Sequence, residues 1–175
     1  MSDRMNIVEF GEALLRTQDL DPVYCAVYRA HMPRPQLHRW LLAYWCFYHI
    51  GAASWLSEKQ GAEFWDRMLT AAFNEKSPRD LGISSDRWPR AAERRHFRGA
   101  ACVTAVKKLQ NMFPDPNKAV RSLTVFDTEQ GIMREIQTWP LFGPWIAFKA
   151  ADMLERCTGQ KVIFDPNIGI RRGVR

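Results

Sequence analysis

From Gln36 to Glu58 the chain is apolar almost all round, a pattern that predicts a central helix buried on every side. Shorter stretches around it show one apolar face. Residues 6–17 place Ile7, Phe10, Leu14 and Leu15 at helical spacing, and Val23 to His31 is a second candidate that Met32-Pro33-Arg34-Pro35 ends. Ala62 to Asn74 reads as another helix. A polar loop from Glu75 to Pro89 then leads into a long helix over 90–112, with Phe97, Ala101, Ala105, Leu109 and Met112 along its inner stripe. Pro114-Asp115-Pro116 ends that helix. Only Val162 to Phe164 and Leu123 to Phe126 read as extended, and no internal repeat interrupts the series. The order of elements predicts an all-α fold, and 175 residues that are 46% hydrophobic fit a single helical domain over 1–175.

The most specific local pattern is Pro140-Leu141-Phe142-Gly143-Pro144-Trp145-Ile146. Asp127 and Gln130 read as a capping box that starts a helix over about 128–138, which Pro140 stops. Gly143 is expected to supply the special backbone angles of a tight turn, with Pro144 as the first residue of a second helix running to about Arg156. The hairpin over 128–156 would thus end on a helix N-terminus, whose amides at Trp145 and Ile146 suit an anion such as a DNA phosphate. Thr158-Gly159-Gln160 closes the second helix. Asp165 follows the short apolar run Val162-Ile163-Phe164.

Charge and composition narrow the partners. Lys and Arg outnumber Asp and Glu by 25 to 19, a net +6 that fits a polyanionic partner and equally a solvated basic surface. The seven tryptophans fit a large aromatic core, and Trp also serves where a ring must stack on a base. Trp40 to Leu56 carries no formally charged side chain, yet His49 and its amphipathic aromatics favour a buried helix over a membrane span. The N-terminus leads into an amphipathic segment, so no cleavable signal peptide and no membrane partner are expected. Cys25, Cys46, Cys102 and Cys157 contain no Cys-x-x-Cys pair, which reads as reduced core thiols. His31, His38, His49 and His96 show no metal-ligand spacing, so neither a metal nor another cofactor is expected.

The hairpin, the extended run and Asp165-Pro166-Asn167-Ile168 together resemble the helix-hairpin-helix DNA glycosylase superfamily. There a Leu-Pro-Gly-Val-Gly hairpin is followed, one helix further along, by Val-Asp-x-Asn/His-Val. In that alignment Gly143 matches the second hairpin glycine, Ala147 a small helix-packing residue, and Asp165 the active-site aspartate of the 162–168 segment. Trp145 falls near the lysine of lyase-type members, which argues against Schiff-base strand cleavage. Lys149, a turn further along, is a DNA-contact candidate with Gly143, Trp145 and Ile146. His49 ends a helix that looks like the one reaching DNA in the superfamily, where a glutamine often sits. Within the superfamily, the aromatic helix from Trp40 to Trp55 and the hairpin from Thr138 to Trp145 look most like the bacteriophage branch that hypermodifies thymine. These are the α-glutamyl/putrescinyl-thymine pyrophosphorylases and related amino acid:DNA transferases.

That resemblance implies a soluble monomer in the cytoplasm of an infected bacterial host. Its partners would be DNA carrying phosphorylated 5-hydroxymethyluracil and an amino acid or polyamine as co-substrate, with the amine displacing phosphate or pyrophosphate from the base. A base in a duplex must be extruded before its 5-methylene can react, so a grip, a wedge and an aromatic pocket are the expected parts. Displacement needs a neutral amine and a stabilised departing oxyanion. Asp165 is the candidate to take the proton or orient the amine, against the plainer role of a turn or N-cap acid. Arg90, Arg94 and Arg98 share one helix face and are phosphate candidates, although a solvated face is the commoner fate of such a run. Two other readings stay open: a glycosylase excising a modified or damaged base through Asp165, and a DNA-binding module that needs only the hairpin.

Overall fold

The computed structural model describes Val8, Glu12, residues 22–73, Phe97 and residues 99–165. In order, the helices are α1 Pro22–Ala30, α2 Arg34–Phe47, α3 Ile50–Ser57, α4 Gly61–Phe73, α5 Gly99–Met112, α6 Pro116–Leu123, α7 Glu129–Ile136 and α8 Pro144–Thr158. Among the described residues the only β pairing is one parallel bridge between Thr128 and Ile163. The all-α expectation therefore holds for the described residues. Most of the helix expected over 6–17, the loop 75–89, and most of the 90–112 helix before Gly99 lie outside them; Phe97, which is described, is a bend and not helix, and α5 starts at Gly99, whose backbone is left-handed (φ 61°). Arg90, Arg94 and Arg98 also lie outside the described residues.

Helix α2 is the centre. Every residue from Leu37 to Phe47 is buried, and the helix packs on α3, α6 and α8. The all-round apolar pattern was a sound guide to burial over α2, but not over α3, where Ile50 is exposed and Ser54 and Trp55 are half-buried, and not to length. In place of one helix over 36–58, the chain turns at Tyr48, whose left-handed backbone (φ 53°, ψ 46°) lets its amide close α2 on the Tyr44 carbonyl. His49 then caps α3, its Nδ1 accepting the Ala52 amide at 3.0 Å. A left-handed residue is usually Gly or Asn because a side chain there costs energy. Here the Tyr48 ring packs against Tyr44 at 4.7 Å and Trp145 at 5.1 Å, contacts that offset this cost.

Other boundaries moved for similar local reasons. Pro114-Asp115-Pro116 does end α5, but it also starts α6: Pro116 is the first helical residue and Asp115 accepts the Asn117 amide as its cap. Leu123 closes α6, so Leu123 to Phe126 is a helix end and turn, with the Phe126 amide donating to the Leu123 carbonyl at 3.2 Å. The cap of α7 is Thr128 rather than Asp127. Its hydroxyl accepts the Gly131 amide at 3.2 Å, while the Asp127 carbonyl accepts the Ile163 amide at 2.8 Å.

The core is strongly aromatic. Trp40, Trp45, Trp65, Phe47, Phe64 and Phe97 are fully buried, and Trp40 and Trp65 satisfy their indole N–H groups on Ser54 Oγ and the Pro114 carbonyl. Cys25, Cys46 and Cys102 are buried and Cys157 is half-buried, none of them in a disulfide. Among the described residues no helix is long and apolar enough to cross a membrane.

Candidate functional site

The link between α7 and α8 is fastened from below by two aromatic residues. Trp139 and Phe142 are buried, their rings 5.3 Å apart, and they join Phe97 and Phe113 edge-to-face, and Trp45 at a tilt, in one aromatic cluster. Burying each is worth about 1.5–3 kcal/mol, enough to fix a short turn. The residues between and after them are left outside: Leu141, Gly143, Pro144 and Trp145 are exposed, Trp145 by 57%.

The left-handed position of this turn falls on Leu141 (φ 65°), not on Gly143. Gly143 has φ −85° and ψ 178°, angles open to any residue, and a Cβ there would meet nothing within 4 Å. Its contribution is the side chain it lacks. With no side chain and no side-chain cap at Gly143, and Pro144 carrying no N–H, the first turn of α8 presents its Trp145 and Ile146 amides. The Ile146 side chain is buried, so that residue can offer a ligand only its backbone.

The α2–α3 junction meets the same turn. Contact between the Tyr48 and Trp145 rings brings neighbouring His49 to the hairpin side, with its Nδ1 already committed to the α3 cap. Lys149 points elsewhere. Its ammonium lies 4.5 Å from the Tyr24 ring centroid, donates to the Tyr24 hydroxyl at 2.9 Å and pairs with Asp152 at 3.4 Å. Tyr24 in turn donates to Asp152. Lys149 therefore ties α8 to α1 in this conformation.

Asp165 stands at the end of a segment sewn back onto the start of α7. Gly159, left-handed at φ 71°, closes α8 on the Glu155 carbonyl and turns the chain. The Gln160 amide group donates to the Phe126 carbonyl at 2.7 Å. The Ile163 amide donates to the Asp127 carbonyl at 2.8 Å, and the Ile163 carbonyl accepts the Glu129 amide at 3.0 Å. Val162 is buried, and Phe164 packs edge-on to Phe148 in the second turn of α8, 6.2 Å between rings. The Asp165 amide then donates to Glu129 Oε2 at 3.3 Å.

Glu129 escaped the sequence reading. It is 1% exposed, and its Oε1 is buried with no hydrogen-bond partner among the described residues. An acid in the first turn of a helix is ordinarily a solvated residue favoured by the helix dipole. Only the pairing of residues 128 and 163, remote in sequence, buries this one. The one available signal was its place just after a cap, and that signal is weak. A buried carboxylate oxygen without a partner is costly, and a cationic or hydrogen-donating ligand would satisfy it. Among the described residues no three His, Cys, Asp or Glu side chains gather as a metal site.

A protein family described as "Amino acid:DNA transferase" matches residues 6–169 of this chain. The chain is 44% identical over 168 residues to a protein named "Glycinyltransferase" from Pseudomonas phage PaMx11, covering 93% of this chain and 55% of that protein. It is 27% identical over 161 residues to a "Putrescinyltransferase" from Delftia phage PhiW-14, covering 90% of this chain and 47% of that protein. The chain thus spans about half the length of the curated relatives it matches.

Proposed function

The chain belongs to the amino acid:DNA transferase family, and we propose that it transfers an amino acid or other amine onto phosphate-activated 5-hydroxymethyluracil in phage DNA, releasing phosphate or pyrophosphate. The proposal includes a single helical domain of helix-hairpin-helix, DNA glycosylase-like type, acting as a monomer in the cytoplasm of the infected host. Its partners are DNA and an amino acid or polyamine, and it needs no metal or other cofactor. The hairpin supplies the grip: the Trp145 and Ile146 amides take a backbone phosphate, Gly143 permits close approach, and Trp145 and His49 contact the distorted strand. Lys149 would reach DNA only by leaving Tyr24 and Asp152. Arg90, Arg94 and Arg98 remain candidates for the activating phosphate, outside the described residues.

The chemical step forms a bond from the amine nitrogen to the 5-methylene carbon and breaks the bond from that carbon to the phosphate oxygen. The attacking ammonium must lose a proton first, and Asp165 is the acceptor in this reading. Glu129 is a positioning residue that holds the Asp165 backbone through Oε2. The observation that carries the proposal is buried Glu129 at the start of α7, whose Oε2 accepts the Asp165 amide on the segment linked to α8 by the Phe148–Phe164 contact and whose Oε1 lacks a donor among the described residues. An ammonium supplies such a donor.

Release of phosphate tests the reading. Given DNA carrying phosphorylated 5-hydroxymethyluracil, the protein should liberate phosphate or pyrophosphate only when an amine is added, glycine being the first to try. Release of free base without any amine would instead establish base excision.

A further inference from the structure

At the end of α2 opposite His49, the N-terminal part of α2 and one side of α6 border a cleft of about 260 Å³ lined by Arg34, Pro35, His38, Asn117 and Arg121. The 14 residues of α2 put it about 20 Å from the α2–α3 junction, at 1.5 Å per residue. Nothing in the hairpin or the Asp165 segment accounts for its composition.

Its charges are unevenly compensated. Arg39, buried beneath, spends its guanidinium on the Ser57 and Pro35 carbonyls at 3.1 and 3.0 Å and reaches Asn117 Oδ1 at 3.5 Å. Asp115 uses one oxygen on the Asn117 amide and side chain, each at 3.0 Å, and the other on Arg121 at 2.6 Å. Among the described residues Arg34 meets only the Thr158 carbonyl, at 3.3 Å. Arg34 and Arg121 therefore line the cleft with Arg39 beneath it, and Asp115 is the carboxylate paired with Arg121. His38, also on the wall, is 6% exposed, and its Nε2 is buried with no hydrogen-bond partner among the described residues. Burial first, and then Arg34 and Arg121, lower the proton affinity of this imidazole.

We propose that this cleft is a second anion site, in which Arg34 and Arg121 hold a phosphate group and His38 Nε2 donates a hydrogen bond to it. A phosphate is the right counterpart because it offers oxygens to two guanidinium groups and to the imidazole at once. It also meets both features of the cleft, the two guanidinium groups on its wall and the buried imidazole nitrogen. The phosphate could come from DNA backbone passing beyond the hairpin or from a free small molecule. The proposal does not depend on the transfer chemistry.

Nuclear magnetic resonance of the full chain tests it. Inorganic phosphate should shift the His38 imidazole resonances saturably at low millimolar concentration, while chloride at equal ionic strength should not. Arg34→Gln, at an exposed side chain whose loss leaves the core untouched, should weaken that binding about tenfold, as should Arg121→Gln. A DNA duplex provides the second arm. If the same His38 shift appears with DNA, and Arg34→Gln lowers the salt dependence of DNA affinity by about one counterion, the source is backbone phosphate. If phosphate binds but DNA affinity ignores both variants, the source is a free phosphate compound. No saturable His38 shift with either ligand would overturn the proposal. So would glycine occupying the cleft in preference to phosphate, which would make it a carboxylate site.

Discussion

The two ends of the α7–α8 pair are held by opposite means. At the hairpin end, Trp139 and Phe142 sink into an aromatic cluster, and the residues facing out carry almost none of the burial. At the other end, the 160–165 segment is held by a few hydrogen bonds to Phe126, Asp127 and Glu129, with Val162 as its one buried apolar side chain. Burial energy is insensitive to direction, whereas hydrogen bonds are lost within a fraction of an ångström. The hairpin surface can therefore change without disturbing the fold, and the segment bearing Asp165 cannot. Binding and chemistry are expected to separate along this line.

The sharpest separation comes from Asp165→Asn. Transfer should fall about a hundredfold or more, with DNA affinity retained or slightly raised because a negative charge is lost near phosphates. Rate and affinity measured on one preparation check it; a parallel loss of both would erase the distinction between the two ends.

Gly131→Val strikes the stitched end through its cap. A Cβ at Gly131 would lie 3.0 Å from the Phe126 ring and 3.1 Å from Thr128 Oγ1, the cap atom of α7. The larger side chain should destabilise the protein by about 1–3 kcal/mol, read as a lowered unfolding midpoint. An unchanged midpoint would mean that this end yields more easily than its packing implies.

At the hairpin end, Trp145→Ala should weaken DNA binding about tenfold, the loss of one stacking platform, while the unfolding midpoint falls by less than in Gly131→Val, since only the contact with the Tyr48 ring is lost from the fold. Binding of both proteins should fall steeply with salt. A large loss of stability in Trp145→Ala, against an unchanged affinity, would reverse the roles assigned to the two ends.

The smallest effect belongs to neither end. Burial, and then Arg34 and Arg121, hold His38 below the ordinary imidazole range. The unfolded chain therefore takes up this proton first as pH falls, so its contribution is complete above that range and is lost as pH drops through it. Unfolding midpoints against pH should show this slope in wild type and in the Trp145 and Asp165 variants alike, and a shallower one in His38→Gln.

What the sequence made legible follows the range of the forces involved. The hairpin, α1, α4 and α8 were readable within a residue or two because Pro144, Gly159 and the apolar stripes act over a single turn. The break at Tyr48 was not, since its left-handed backbone is held by contacts with Tyr44 and with the distant Trp145. Leu141 took the positive φ expected near Gly143 because burial of Trp139 and Phe142 on either side decides the path of the turn. Helix α6 was hidden by prolines that serve as stop and start together. At the candidate site, Asp165 could be singled out by its spacing from the hairpin, while Glu129 could not, because its burial depends on a pairing across 34 positions between Glu129 and Ile163.

The most direct measurement is the mass of the product nucleoside. Wild-type protein is incubated with glycine and DNA bearing phosphorylated 5-hydroxymethyluracil, and the DNA is then digested and weighed nucleoside by nucleoside. The expected result is a thymidine analogue with glycine joined through nitrogen to its 5-methylene group, formed only when glycine is present. Abasic DNA with free base in solution, or an unchanged nucleoside under conditions where the DNA is bound, would contradict it.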